Sequence, residues 1–183
     1  MNFIETERLV LKVIDESEIN LLADYYLKNL KFLKLSIPVS EASYFTSGNL
    51  RDRVIKEKDL FEKGFQISLY VFKKNDTKRI IGNVSILNIN GENLKNGFLG
   101  YQISEDENGN GYATEAAKKV IEYLFTKLNF GKTEANVMTN NIASVSVLEK
   151  LGFEKTEFLK NFLEVNGRAE DHFRYSLLNK NIF

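Results

Sequence analysis

Between residues 112 and 128 the apolar positions recur with the period of an α-helix. Ala113, Ala116, Ala117, Val120, Ile121, Leu124, Phe125 and Leu128 share one face, while Lys118, Lys119, Glu122 and Lys127 share the other. The spacing predicts a helix opening just after Gly111 and ended by Gly131. The same period in Ile19, Leu21, Leu22, Tyr25, Tyr26 and Leu30 predicts an earlier helix, with Asp15 as N-cap and Glu18 completing a capping box. A second helix passes through Leu50, Val54, Ile55, Leu60 and Phe61, with its start blurred by the ambiguous run 43–48. Pro38, the only proline, breaks the chain between these two helices. A shorter helix is predicted from Asn141 to Leu151, with Asn141 at the N-cap and Gly152 at C′.

Elsewhere the period is that of strands. Arg8 to Val13 alternates and is rich in branched residues. Residues 65–72 are β-branched and aromatic, 79–87 form a second run and 96–104 a third, with turns at 74–77 and 88–92; these predict an antiparallel meander. Residues 132–138 follow the long helix. The last two strands, 157–165 and 169–177, are joined by Asn166-Gly167, a hairpin signal. One strand–helix–strand crossover predicts local parallel pairing inside a mostly antiparallel sheet. The fold class expected is α+β, as a three-layer arrangement, with residues 1–183 forming one domain.

Composition narrows the function classes. Lys+Arg and Asp+Glu balance at 25 each, which argues against a chain built to coat nucleic acid or an acidic membrane. Cysteine is absent and His172 is the only histidine, so thiolate sites, a cysteine nucleophile and a histidine-rich metal site are excluded, and no metal is expected. A reducing, cytoplasmic setting fits. No apolar run approaches the roughly 20 residues that span a bilayer.

Candidate chemistry concentrates in Glu105-Asp-Glu-Asn-Gly-Asn-Gly-Tyr-Ala-Thr-Glu115, which links the strand 98–103 to the long helix. Gly109 and Gly111 can take dihedrals closed to other residues and have no Cβ to hold a ligand away. Strand, Gly-x-Gly, helix offers several N–H groups to phosphate oxygens. The plainer alternative is a tight turn whose glycines serve geometry only. The turn has no Gly-x-x-x-x-Gly-Lys pattern, and Thr114 stands where a dinucleotide fingerprint needs its third glycine. A pyrophosphate held mainly by backbone is what remains.

Asp106-Glu-Asn-Gly-Asn-Gly111 followed by Tyr-Ala-Thr-Glu-Ala resembles the Gln/Arg-x-x-Gly-x-Gly/Ala acetyl-CoA loop of the GNAT superfamily of N-acetyltransferases, with Asp106 at the usual Gln or Arg position. Residues 141–153 resemble the Asn-x-x-Ser…Glu-Lys-x-Gly-Phe segment of the same superfamily. Thr6-Glu-Arg-Leu-Val-Leu-Lys12 and the tail 166–177 resemble its RimJ/RimL branch. The resemblance runs from about residue 5 to 178. It implies the GNAT acyl-CoA N-acyltransferase fold, a mixed and mostly antiparallel sheet of six to seven strands flanked by about four helices, and acetyl-CoA as cosubstrate.

It also implies roles. Backbone N–H groups of Asn108, Gly109, Asn110, Gly111 and Tyr112 surround the pyrophosphate. Gln102 and Ile103 pair with the pantetheine amides, and an N–H near Gln102 serves the oxyanion. Asn141 contacts the pantetheine arm or only caps its helix. Lys150 reaches the adenosine 3′-phosphate or only complements the helix dipole. Ser144 protonates the leaving thiolate or only caps backbone N–H groups. No general base stands out. Glu105, Glu107 and Glu115 are read as caps or solubilising groups, Asp171 and His172 as a strand pair near the acceptor, and Tyr25, Tyr26, Phe32 and Leu35 as core. The carboxylate of Asp106 is expected to repel the diphosphate mildly. The acceptor implied by the RimJ/RimL likeness is the N-terminal amine of a ribosomal protein. Small amines (polyamine, amino acid, aminoglycoside) and a non-catalytic acyl-CoA sensor stay open. Family analogy allows a homodimer, for which the sequence gives no sign.

Overall fold

The strand β3 (Ile67–Lys73) organises the molecule, because six of its seven residues are buried and successive side chains leave on opposite faces. Ile67, Leu69 and Val71 join one core, and Tyr70 and Phe72 join another. The structure, a computed structural model, describes residues 3–35 and 45–182, so Pro38 lies outside the described residues. The described elements run β1 (Phe3–Glu5), β2 (Leu9–Lys12), α1 (Ile19–Leu33), α2 (Ser47–Glu62), β3, β4 (Gly82–Asn90), β5 (Lys95–Ile103), α3 (Tyr112–Lys127), β6 (Phe130–Met138), α4 (Ile142–Lys150), β7 (Glu154–Val165) and β8 (Arg168–Leu178).

The strands form one sheet of eight in the order β1-β2-β3-β4-β5-β6-β8-β7. Every pairing is antiparallel except β5 with β6, where α3 makes the crossover. On one face the core holds Leu11, Leu69 and Val84 against Ala116, Val120 and Leu124 of α3 and Leu148 of α4. On the other, Tyr70 and Phe72 meet Leu22, Tyr25 and Tyr26 of α1 and Leu50 and Val54 of α2. The result is the three-layer α+β architecture expected, with four helices and the antiparallel meander β3–β4–β5.

The sheet has one or two strands more than the resemblance implies. The addition is β1, whose three residues are too short to show a period; it pairs Phe3–Glu5 with Val10–Lys12. The turn expected at 88–92 begins later, because β4 runs on to Asn90 through a bulge at Asn88 (φ 52°). The capping box at Asp15 does not form. Asp15 caps a single 3₁₀ turn by accepting from Ser17 N–H at 2.8 Å, and Glu18 bridges to Lys12 at 2.6 Å instead. Gly131 does not end the long helix. Asn129 (φ 56°) makes that reversal, and Gly131 lies inside β6, where a Cβ would come within 2.4 Å of the Leu94 side chain. Ile55 faces solvent at 49% exposure, so the seam of α2 is narrower than its apolar residues imply. The Asn166-Gly167 hairpin forms as expected, with φ of 53° and 74°.

Candidate active site

β5 and β6 diverge. Their parallel ladder pairs Asn96 with Lys132, Gly97 with Thr133 and Phe98 with Glu134, and then stops. Both strands nevertheless continue, β5 to Ile103 and β6 to Met138, each held on its outer side by β4 or β8. The β6-facing edge of β5 beyond Phe98 is therefore a run of backbone amides without a ladder, able to bond an extended amide-bearing ligand.

Past Ile103 the chain is fixed from below. Ser104 is fully buried and its N–H donates to the Ile81 carbonyl at 2.8 Å; the Glu105 N–H donates to Asn29 Oδ1 at 2.9 Å. Gly109 (φ 80°) and Gly111 (φ 79°) then turn the backbone through left-handed conformations that favour glycine. Gly111 is the N-cap of α3 and offers no side chain to it. No N–H from Gly109 to Thr114 has a backbone acceptor among the described residues. That leaves a helix N-terminus ready for an anion.

Three of the acidic residues around this turn, Asp106, Glu107 and Glu115, are already paired. The Arg79 guanidinium donates to both oxygens of Asp106 at 2.6 and 2.5 Å. Lys73 lies 2.6 Å from Glu107, a bond that raises the lysine's pKa. The repulsion expected of Asp106 is thus offset within the protein. Glu107 and Glu115 are not solubilising groups. Glu107 is only 8% exposed. Glu115 accepts from the Thr6 hydroxyl at 2.5 Å, the Arg8 N–H at 2.9 Å and Arg8 Nε at 2.6 Å. Burial pushes the Glu115 carboxyl up, but these bonds outweigh it and hold the group below its ordinary value. Arg8, stacked 4.5 Å from the Tyr112 ring centroid, places its NH2 group 3.6 Å from where a Gly111 Cβ would sit, so a cation adjoins the turn.

The predicted groups meet in one cleft of about 460 Å³. β5 contributes Gln102 and Ile103, the turn contributes Asn108, Gly109, Gly111 and Tyr112, and α4 contributes Asn141, Ser144 and Lys150. Asn110 does not line it; its side-chain amide donates back to the Glu107 carbonyl at 3.2 Å. Asn141 is the N-cap of α4, its Oδ1 accepting from Ser144 N–H at 3.1 Å. Two residues emerge that periodicity did not single out as lining. Phe32, expected in the core, borders the cleft, while Leu35 is exposed. Tyr101 donates its hydroxyl to the Ser144 carbonyl at 2.9 Å and ties α4 to β5. Burial raises its pKa, so it stays a neutral donor.

A second cleft of about 340 Å³ shares Tyr101, Gln102, Asn141 and Ser144 with the first. Its other walls are mainly apolar, from Phe98, Val137, Met138, Leu148, Phe162 and Leu163, and include Asn83 and His172. Among the described residues its lining contains no Asp, Glu, Lys or Arg. Asn83 Oδ1 and Gln102 Oε1, on register partners, are buried and have no partner among the described residues. Asp171, by contrast, is spent on structure: its carboxylate accepts from Asn161 N–H at 2.7 Å, inside the β7 bulge between Leu159 and Leu163.

Residues 8–154 match the family profile described as an acetyltransferase (GNAT) domain. The chain belongs to the GNAT acetyltransferase family. It is accordingly an N-acetyltransferase, with acetyl-CoA as its cosubstrate. The probable N-acetyltransferase YjcK of Bacillus subtilis is 33% identical over 83% of this chain and 83% of its own length. The [ribosomal protein uS5]-alanine N-acetyltransferase of Escherichia coli is 30% identical over 91% of this chain and 86% of its own. The crystal structure of ribosomal-protein-S5-alanine acetyltransferase from Vibrio fischeri superposes with a TM-score of 0.92, at 28% identity, covering 99% of this chain and 98% of that one. This chain carries its glycine turn at the mouth of the divergent strand pair. No helix among the described residues is long and apolar enough to cross a membrane.

Proposed function

We propose that this enzyme acetylates the N-terminal α-amine of a protein, a ribosomal protein foremost, in the cytoplasm, with residues 1–183 acting as one domain. Acetyl-CoA supplies an activated acetyl thioester. The N–H groups from Gly109 to Tyr112 hold its diphosphate, while the Asn108 N–H, expected to join them, donates to the Glu105 carbonyl at 3.3 Å; Arg8 is a nearby cation and Lys150 lies toward the 3′-phosphate. The free edge of β5 at Gln102 and Ile103 takes the amides of the pantetheine arm, and Asn141 adds a side-chain contact. The thioester then lies where the two clefts meet, beside Ser144, whose hydroxyl gives a proton to the departing sulfur. An N–H of β5 near Gln102 faces the developing oxyanion.

One observation carries the choice of acceptor: among the described residues, no carboxylate lines the second cleft. A polyamine or aminoglycoside is a polycation, and desolvating several ammonium groups without counter-charges is costly. A single α-amine followed by a small side chain asks for an apolar slot with a few neutral polar groups, and Asn83 and Gln102 line this one. An α-amine also titrates near about 8 and a lysine-type amine near about 10.4, so far more of the former is neutral at pH 7. The relatives named as acting on the alanine of ribosomal protein uS5 point the same way. The sensor reading, motivated by Asp106 and by the lack of an evident base, loses the first motive, since Arg79 pairs with Asp106.

The test is acetylation of an equimolar panel by purified enzyme: peptides beginning with alanine, serine and glycine, an N-blocked lysine peptide, and spermidine. The alanyl or seryl peptide is expected to lead in kcat/KM by at least about tenfold. Preference for spermidine or the lysine peptide would overturn the acceptor assignment.

A further inference from the structure

His172, the only histidine of the chain, has no role in the account so far. It is 4% exposed, yet it borders the second cleft. Its Nδ1 lies 3.0 Å from the Glu170 carbonyl. A carbonyl only accepts, so Nδ1 carries the proton and Nε2 is the bare nitrogen of the neutral ring. Phe162 packs edge-on against the imidazole at 5.4 Å and fixes its plane. The bulge that delivers Phe162 is the one Asp171 pins from the adjacent position. Across the cleft stand Gln102 of β5 and Ser144 of α4. The ring's neighbours on β6 and β7 are uncharged, Met138 and Leu159 by register and Phe162 by contact. Among the described residues, the only other titratable side chain in the lining is the Tyr101 phenol. Glu170, Asp171 and Arg174 are the charged residues within two positions of it on β8, and Lys160 follows its register partner on β7; none lines the cleft, but Arg174 Nε donates to Asn136 Oδ1 at 3.2 Å, and Asn136 does line it.

We propose that His172 Nε2 is the base that takes the proton from the acceptor's α-amine; this rests on reading the second cleft as the acceptor site. The amine nitrogen bonds to the acetyl carbon and the carbon–sulfur bond breaks. The nitrogen's proton passes to Nε2, and the sulfur leaves with the Ser144 hydroxyl proton. Solvent restores the serine proton, and the imidazolium releases its own to solvent. Amine and thioester become amide and thiol with no other reactant. The base also selects the substrate. A lysine-type amine, near about 10.4, gives up its proton far less readily than an α-amine near about 8, so one base serves the α-amine better.

The test compares wild type with His172→Gln and His172→Ala, using acetyl-CoA and an alanyl peptide, with thiol release as the readout. The Gln variant is expected to lose about 10²-fold or more in kcat with little change in KM. Its rate should keep climbing with pH as free amine accumulates, while wild type levels off. Added imidazole should restore part of the rate of the Ala variant, which a merely structural role would not allow. Variants with wild-type kcat and pH profile would overturn the proposal, as would a loss that imidazole cannot rescue in protein of unchanged circular dichroism. If the alanyl peptide is inert but another amine of the panel is acetylated, the acceptor reading fails alone. The same variants are then assayed on that amine, and an undiminished rate overturns the base. If no amine is acetylated, both fall.

Discussion

Glu115 shows how one carboxylate positions a site without entering it. It binds Thr6, the Arg8 backbone and the Arg8 guanidinium, so it ties the β1–β2 connection to the first turn of α3. Its pKa is depressed in the folded protein, so its stabilisation is present above the ordinary carboxylate value and disappears as pH falls through the folded one. Glu115→Gln is expected to cost about 2 kcal/mol at pH 7 by urea denaturation, because charge-assisted hydrogen bonds are weakened. The gap between variant and wild type should close below about pH 4.5, the ordinary carboxylate range. Gly111→Glu places a left-handed strain of about 1–2 kcal/mol and a negative charge at the phosphate turn. It should fold, with acetyl-CoA binding lost by calorimetry; unchanged affinity would contradict the site. At this scale Gly109, Gly111, Asn141 and Ser144 were legible because their chemistry is local: backbone freedom and capping. The partners of Asp106 and Glu115 were not. Arg79 and Arg8 are distant in sequence, and only the fold brings them to the turn.

Among elements, the decisive junction is between β5 and α4. Tyr101 joins them through the Ser144 carbonyl, and Asn141 caps the helix that presents Ser144. Tyr101→Phe removes a part-buried hydrogen bond and is expected to lower stability by about 1 kcal/mol. Its larger effect should be on kcat, because the serine loses its anchor. Asn141→Ala removes a cap worth about 1 kcal/mol and should also raise the Kd for acetyl-CoA. An Ala variant that kept wild-type affinity would reduce Asn141 to a cap alone. Helices α3 and α4 were legible from periodicity, and the last hairpin from Asn-Gly. The end of α3 was misplaced because asparagine, like glycine, tolerates the left-handed region, and Asn129 took the reversal two residues before Gly131. The start of β1 and the bulges of β4 and β7 carry no periodic signal, since each depends on pairing across the sheet.

The whole molecule opens two clefts by splaying two strands. One cleft runs from the divergence to the glycine turn, the other from the divergence to β7 and β8, and they share Tyr101, Gln102, Asn141 and Ser144. The crossover topology was legible from a strand–helix–strand pattern in a mostly antiparallel chain. The divergence itself was not, because ladder termination at Phe98 leaves no mark in composition. A crystal structure of the enzyme with acetyl-CoA tests this arrangement most directly. It should show the diphosphate on the amides from residue 109 to 112, the pantetheine arm bonded along β5, and the acetyl carbon between Ser144 and His172. A diphosphate bound away from that turn, or a pantetheine arm outside the gap between β5 and β6, would contradict it.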